Sequence, residues 1–240
     1  MLYIVGIGCG SADGLTDEAK ATIERSPLIV GYTVYNELLR PLFPDKKFYA
    51  TGMRQEKERV IYALEQAACG LDVSLVCSGD AGVYGMASLA FELSENYPKL
   101  QIKVVAGVTA ALSGAALLGS PISNDFTVIS LSDLLTPWDI IEKRVEGAAM
   151  GDFAIAIYNP MSHKRTDNLH KACGIILKYR SAETPCGIAV NIGREGENCR
   201  ILTLNELQNS VVDMFTTVFV GNSLTRVING KLVTPRGYRL

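Results

Sequence analysis

The sequence predicts an α/β protein built on parallel sheets, and three observations predict it. Short apolar runs alternate with longer stretches of helical periodicity, the rhythm of repeated βαβ units. Runs such as Val73-Ser-Leu-Val-Cys77 are apolar almost throughout, as strands covered on both faces are. Glycine-rich turns then follow three of them: Gly6-Ile-Gly-Cys-Gly-Ser11, Ser78-Gly-Asp-Ala-Gly-Val-Tyr-Gly85 and Gly107-Val-Thr-Ala110. In open α/β sheets that C-terminal edge is where ligands bind.

Taken in order, Leu2–Gly6 is the first strand, and Thr16-Asp-Glu-Ala opens a helix with a capping threonine and acidic residues in its first turn. Ser26-Pro27 stops that helix, Leu28–Val30 is a strand, and a short helix is predicted over Asn36–Leu42. The next helix, Glu56–Ala68, places Val60, Ala63, Leu64 and Ala67 on one face. After the Val73–Cys77 strand come a helix over Met86–Glu95, a strand over Ile102–Ala106 and an alanine-rich helix ending at Leu118. Gly119-Ser-Pro-Ile122 breaks the pattern and divides the chain into an expected N-terminal domain, 1–121, and a C-terminal domain, 122–240. Beyond it, strands are predicted over Phe126–Ser130, Phe153–Ile157, Gly187–Asn191 and Val212–Val220, with helices over Trp138–Ala149 and Arg165–Tyr179. The second half is therefore α/β too, with a more mixed sheet.

A chain of 240 residues with 48% hydrophobic content has enough apolar surface for one large or two modest cores. A net charge of -2 argues against nucleic acid or an anionic membrane as partner. Its six cysteines, at 9, 69, 77, 173, 186 and 199, show no zinc-knuckle or redox-pair spacing. That pattern, an N-terminus that enters a strand at once and the lack of a bilayer-length apolar run imply a reduced, cytoplasmic protein.

Gly6-x-Gly8-x-Gly10 is not a dinucleotide fingerprint, because Ser11 stands where the third glycine belongs and Gly31-Tyr32 ends the second strand in place of an acid. No phosphate-binding Gly-Lys-Ser/Thr follows, no Gly-x-Ser-x-Gly elbow is present, and His163 and His170 lack helical metal-pair spacing, so no metal site is expected. Asp80 reads two ways, as a ligand contact at the sheet edge or as the N-cap of the next helix. Arg54 and Arg236 sit beside glycines in loops, positions that present a planar donor fork to carboxylates.

Val5-Gly-Ile-Gly8, Ser78-Gly-Asp80 with Tyr84-Gly85, and Gly107-Val-Thr-Ala110 resemble the marks of the tetrapyrrole (precorrin) methylases, an S-adenosylmethionine-dependent family of cobalamin and sirohaem synthesis. Further segments are similar to the branch that methylates C17 at the precorrin-3 stage. These are Thr51-Gly-Met53 with Glu58-Arg59, Asn124-Asp-Phe126, Ile129-Ser-Leu-Ser-Asp-Leu-Leu-Thr-Pro-Trp138, Asp152-Phe153, Tyr158-Asn-Pro160, Gly221-Asn222 and Thr234-Pro-Arg-Gly-Tyr238. Cys9 and Ala106 depart from the family pattern, standing where proline is frequent.

The resemblance implies two α/β domains with the active site in the cleft between them, a homodimer, and S-adenosylmethionine as cofactor. It implies cofactor contacts at Asp80, Val83, Tyr84, Thr109, Ala110, Tyr158 and Asn159, with Gly187 and Asn222 as further positions. It places the tetrapyrrole, precorrin-3B or cobalt-factor III, against Gly8, Gly10 and Ser11, with Arg54, Ser132, Arg165 and Arg236 as substrate-binding residues. Methyl transfer is coupled to ring contraction, which needs proton movement; Asp133 is the first candidate for it, followed by His163 and Tyr158. For Asp133 a capping role stays open. The rival readings are a sister methylase acting at another ring carbon, a tetrapyrrole-binding protein without turnover and a nicotinamide-dependent reductase.

Overall fold

In the computed structural model, which describes residues 1–162 and 165–239, the chain divides into two units, Met1–Ala110 and Ala111–Leu240. The first carries a five-stranded sheet of β1 (Leu2–Gly6), β2 (Leu28–Tyr32), β3 (Lys47–Thr51), β4 (Val73–Cys77) and β5 (Ile102–Val105). Its order is β3-β2-β4-β1-β5, and each pairing is parallel. Helices α1 (Asp17–Arg25), α2 (Thr33–Leu39), α3 (Glu56–Ala68) and α4 (Ala87–Ser94) connect the strands.

Strand alternation decides which helices cover which face. Leu2 and Ile4 pack in one cluster with Val60 and Leu64 of α3 and Ala90 of α4. Tyr3 and Val5 pack in the other, with Ile23 of α1 and Leu39 of α2. All five residues of β1 and all five of β4 are buried, as interior parallel strands require. The capping threonine read from the sequence is in place: Thr16 Oγ1 accepts from the Ala19 amide at 3.1 Å.

The second unit has a mixed sheet, β7 (Phe126–Ser130), β8 (Ala154–Tyr158), β9 (Pro185–Val190), β10 (Asn198–Thr203) and β11 (Thr216–Val220), in the order β10-β9-β11-β8-β7. Only β7 and β8 pair in parallel there; β8–β11, β11–β9 and β9–β10 are antiparallel. A small three-stranded sheet joins β6 (Gly119–Ser120) to β13 (Lys231–Val233) and β12 (Arg226–Ile228). The helices are α5 (Ala110–Leu118), α6 (Trp138–Met150), α7 (Asn168–Ile176) and α8 (Leu204–Gln208). Ile141 and Val145 of α6 and Leu169 and Cys173 of α7 share a core with Ile155 and Ile157 of β8.

The two compact units divide at the start of α5, and packing explains it. A Cβ on Gly187 of β9 would stand 2.6 Å from Leu118, and one on Gly114 would stand 3.0 Å from Ile192 and Phe219, so α5 lies directly on the second sheet. Gly119-Ser120, expected to be a break, is strand β6. The helix expected from Arg165 begins at Asn168, because the Ser162 and Arg165 backbones pair with each other. Five strands are absent from the sequence reading: β3 and β10 are edge strands with most residues partly or fully exposed, so their hydrophobic signal is weak, and β6, β12 and β13 are only two or three residues long.

Candidate functional site

In the first unit, β4, β1 and β5 are neighbours, so their glycine turns emerge side by side at the C-terminal edge of the sheet. Gly8 (φ 68°) and Gly79 (φ 66°) are both in the left-handed region and exchange backbone hydrogen bonds, 3.1 Å from the Gly8 amide and 2.7 Å from the Gly79 amide. A Cβ on Gly107 would lie 2.2 Å from the Gly79 carbonyl oxygen and 2.6 Å from the Gly6 carbonyl carbon. Three turns therefore pack backbone against backbone, with no room for side chains.

Asp80 locks this arrangement. Its Oδ1 accepts from the Gly82 amide at 2.8 Å and its Oδ2 from the Gly107 amide at 2.9 Å, tying the turn after β4 to the turn after β5. The capping alternative is not realised: α4 begins seven residues later, after Met86, with no side-chain cap. Each carboxylate oxygen keeps a further lone pair for a hydroxyl donor. Val83 is half-buried in the same turn, and Tyr84 is 55% exposed at a positive φ of 54°. A bulky residue held there is in a strained backbone conformation. Thr109 and Ala110, both half-buried, close the group; Gly79 lies against the Thr109 backbone.

Of the expected substrate loop, Gly8 is buried in the bridge to Gly79, whereas Gly10 and Ser11 are half-exposed. The Ser11 hydroxyl accepts from the Gly14 amide at 3.1 Å and shapes its own turn. Arg54 is exposed at a positive φ of 67°. It borders a surface hollow of about 550 Å³ lined also by Tyr49, Lys57 and Tyr62; none of the lining residues belongs to the glycine turns.

The second unit assembles a side-chain cluster at the C-terminal ends of β7 and β8. Asn159 (φ 50°) donates from Nδ2 to Ser130 Oγ at 3.0 Å, and the Ser132 amide donates to the same oxygen at 3.2 Å. Arg165 donates from Nε to Ser162 Oγ at 3.1 Å and from Nη1 to Ser132 Oγ, while Asp133 Oδ1 lies 3.7 Å from Nη1. Ser132, Asp133, Asn159 and Arg165 are thus one connected group. Tyr158 ends β8, and its hydroxyl accepts from the Ala111 amide at 2.7 Å, so it fills the N-terminal turn of α5. His163 lies outside the described residues.

The remaining expected positions have structural work of their own. Gly187 is buried beneath Leu118, which explains the glycine without a ligand. Asn222 is 6% exposed, and its Oδ1 accepts from the Leu224 amide at 3.0 Å and Thr225 Oγ1 at 3.1 Å, an Asx-turn. Arg236 is exposed in the C-terminal segment, beside Gly237 at positive φ.

Two arginines central to these loops were given no site role by the sequence, although Arg59 falls in a segment similar to the C17 branch. Arg180 donates to the carbonyl oxygens of Gly221, of Phe153 at 2.5 Å and of Ala148 at 3.4 Å, and burial pulls its guanidinium below the usual range. Arg59 is 3% exposed and donates to Thr51 Oγ1 at 2.9 Å, the Gly52 carbonyl oxygen at 2.9 Å and Met86 Sδ at 3.4 Å. Burial lowers its pKa as well. A signal for Arg59 existed: it falls on the same helical face as Val60, Ala63, Leu64 and Ala67.

Residues 1–208 match the family model described as Tetrapyrrole (Corrin/Porphyrin) Methylases. The chain is 43% identical to the probable cobalt-factor III C(17)-methyltransferase of Salmonella typhimurium, over 100% of both chains. It is 42% identical, over 99% of its own length and 45% of the other, to the cobalt-factor III methyltransferase of Priestia megaterium. Among solved structures, the methyltransferase CobJ superposes with a TM-score of 0.90 at 35% identity, covering 98% of this chain and 99% of that one.

Proposed function

The chain belongs to the tetrapyrrole (corrin/porphyrin) methylases, and from that premise we propose that it methylates C17 of cobalt-factor III, with ring contraction, in cobalamin biosynthesis. The observation that carries this reading is the 43% identity over the full length of a relative named for that reaction. Precorrin-3B, the metal-free counterpart, is the second substrate to test.

S-adenosylmethionine is the proposed methyl donor; bound, its sulfonium supplies an electrophilic methyl group and leaves as a neutral thioether. The residues present suit it. Asp80 offers carboxylate lone pairs at a turn already fixed by two backbone bonds, which fits the hydroxyls of a ribose. Tyr84, held at positive φ, and the turn backbone around Val83, Thr109 and Ala110 add contacts from the same unit, and Asn159 is a further position on family likeness. The nucleophile is a carbon of the macrocycle, so the chain's task is orientation and exclusion of water. Placement of that kind is worth about 7–11 kcal/mol of barrier in favourable cases.

Gly10 and Ser11 line the macrocycle side in this reading. Arg165 is a preset fork for a peripheral carboxylate, because Ser162, Ser132 and Asp133 restrict its guanidinium. Asp133, whose side chain is 38% exposed, takes or returns the proton that ring contraction moves. Tyr158 positions the start of α5 and contacts the donor. Six cysteines outside any disulfide suit a reducing compartment, the cytoplasm. A homodimer belongs to this reading on family likeness.

The test is an anaerobic incubation with methyl-labelled donor and either cobalt-factor III or precorrin-3B, followed by product mass and carbon NMR. Label at C17 of the cobalt-bearing product is expected; label at another carbon, or none from either substrate, overturns the proposal. Asp133→Asn is expected to slow product formation at unchanged donor affinity, and wild-type turnover removes Asp133 from the proton step.

A further inference from the structure

The first unit buries a cation that makes no ion pair among the described residues, with Glu56 acting on it from beyond that distance. Arg59 is 3% exposed, yet among the described residues no carboxylate oxygen lies within ion-pair distance of it. Three of its five N–H groups are engaged, by a hydroxyl, a carbonyl and a thioether. Such burial is costly, and an apolar side chain would fill the space at lower cost. A structural strut alone gives no reason for the charge.

Its partners suggest the reason. Thr51 and Gly52 form the corner after β3, Met86 precedes α4 in the segment that follows the Asp80 turn, and the Tyr32 ring at the end of β2 lies 5.8 Å from the guanidinium carbon. One side chain thus joins the C-terminal ends of β2 and β3 to the loop after β4. The corner itself is held at several points: Gln55 Oε1 accepts from the Gly52 amide at 2.7 Å and Glu56 Oε1 from the Arg54 amide at 3.3 Å. Arg54 crowns this corner at a left-handed φ, exposed and with no ion pair among the described residues. A fixed backbone carrying an uncommitted guanidinium is a preorganised carboxylate receptor.

We propose that Arg59 is a positioning residue for substrate recognition: it fixes the Thr51–Gln55 corner so that Arg54 meets a peripheral carboxylate of the macrocycle, and its own buried charge adds to the attraction for that polyanion. The inference rests on the reading that a carboxylate-bearing tetrapyrrole is the substrate.

The experiment measures KM and kcat for the tetrapyrrole, donor affinity by calorimetry, and thermal stability. The proteins are the wild type, Arg59→Lys, Arg54→Ala, the double variant, and Thr51→Val, which removes one acceptor and leaves Arg59 intact. Wild-type turnover with the tetrapyrrole secures the underlying reading first; its absence defeats that reading and not the role of Arg59. Arg59→Lys is expected to raise KM about tenfold at similar kcat and donor affinity. Once Arg54 is alanine, Arg59→Lys adds little, because the two act on one contact. Thr51→Val moves KM in the same direction by less, and it decides the matter if Arg59→Lys fails to fold. Independent, multiplying effects of the two arginines overturn the proposal, as does a wild-type KM in Arg59→Lys or, failing that variant, in Thr51→Val.

Discussion

The two units present their candidate residues by opposite means. In the first, the turns after β1, β4 and β5 are built from main chain, with glycine backbones in contact and one carboxylate stapling them. In the second, the loops after β7 and β8 are organised by side chains, Ser130, Ser132, Asn159 and Arg165 bonding to one another. A parallel sheet aligns its strand ends and lets bare loops pack closely. A mixed sheet aligns only the β7–β8 pair that way, and polar side chains tie the loops together. Main-chain sites tolerate no added atom, whereas side-chain sites are sensitive to lost partners.

Gly107→Ala tests the first half of that contrast most severely. The new methyl group meets backbone at 2.2 Å, which nothing flexible can relieve, and a loss of about 3 kcal/mol or more is expected in chemical denaturation. Asp80→Asn comes next. One of the two amides at Gly82 and Gly107 loses its acceptor, which costs about 2 kcal/mol and weakens donor binding in calorimetry. Wild-type donor affinity in that variant contradicts the staple as a binding element.

Alkaline pH separates the units more gently. Burial pushes the Cys77 thiol up to about 11 and Cys173 up to about 12, from 9.0, and raises Cys186 too. A raised folded-state value means that the unfolded chain loses its proton first, so stability is intact below pH 9.0 and falls as pH rises toward the folded values. Each thiol contributes up to about 1.4 kcal/mol per pH unit in that window. The second unit holds two of the three, so site-resolved alkylation between pH 9 and 11 is expected to open Cys173 and Cys186 before Cys77. Exposed Cys69 and Cys199 react throughout. The smallest effect has the opposite sign: Gly147→Ala, in α6 with open space around it, is expected to stabilise by about 0.5–1 kcal/mol in thermal unfolding.

The same contrast explains what the sequence could reveal. The glycine turns were legible because a backbone requirement shows up as glycine at the end of an apolar run, whatever lies opposite in space. The Ser132–Arg165 and Ser130–Asn159 bonds join residues 33 and 29 positions apart, and no local spacing encodes such pairs. Family likeness offered Ser132 and Arg165 as substrate contacts and Asn159 as a cofactor contact, with no sign that they form one cluster, and Ser130 was missed. Strands β3 and β10 escaped notice as exposed edges, and the capping box at Thr203 and Glu206 that starts α8 was readable but unread. Asp80 was placed correctly at the sheet edge, yet its bond to Gly107 depends on β1 lying between β4 and β5, a matter of topology.

The pairing of β6 with β13 sets a schedule for synthesis. Each strand of the first unit has been synthesised by Val105, so that sheet can close while translation continues. Gly119–Ser120 must wait for Lys231–Val233, more than a hundred residues later, before its neighbour exists. A nascent chain stalled shortly before that point holds a finished first half beside an open second one, and protease challenge of such stalled chains reads the order directly.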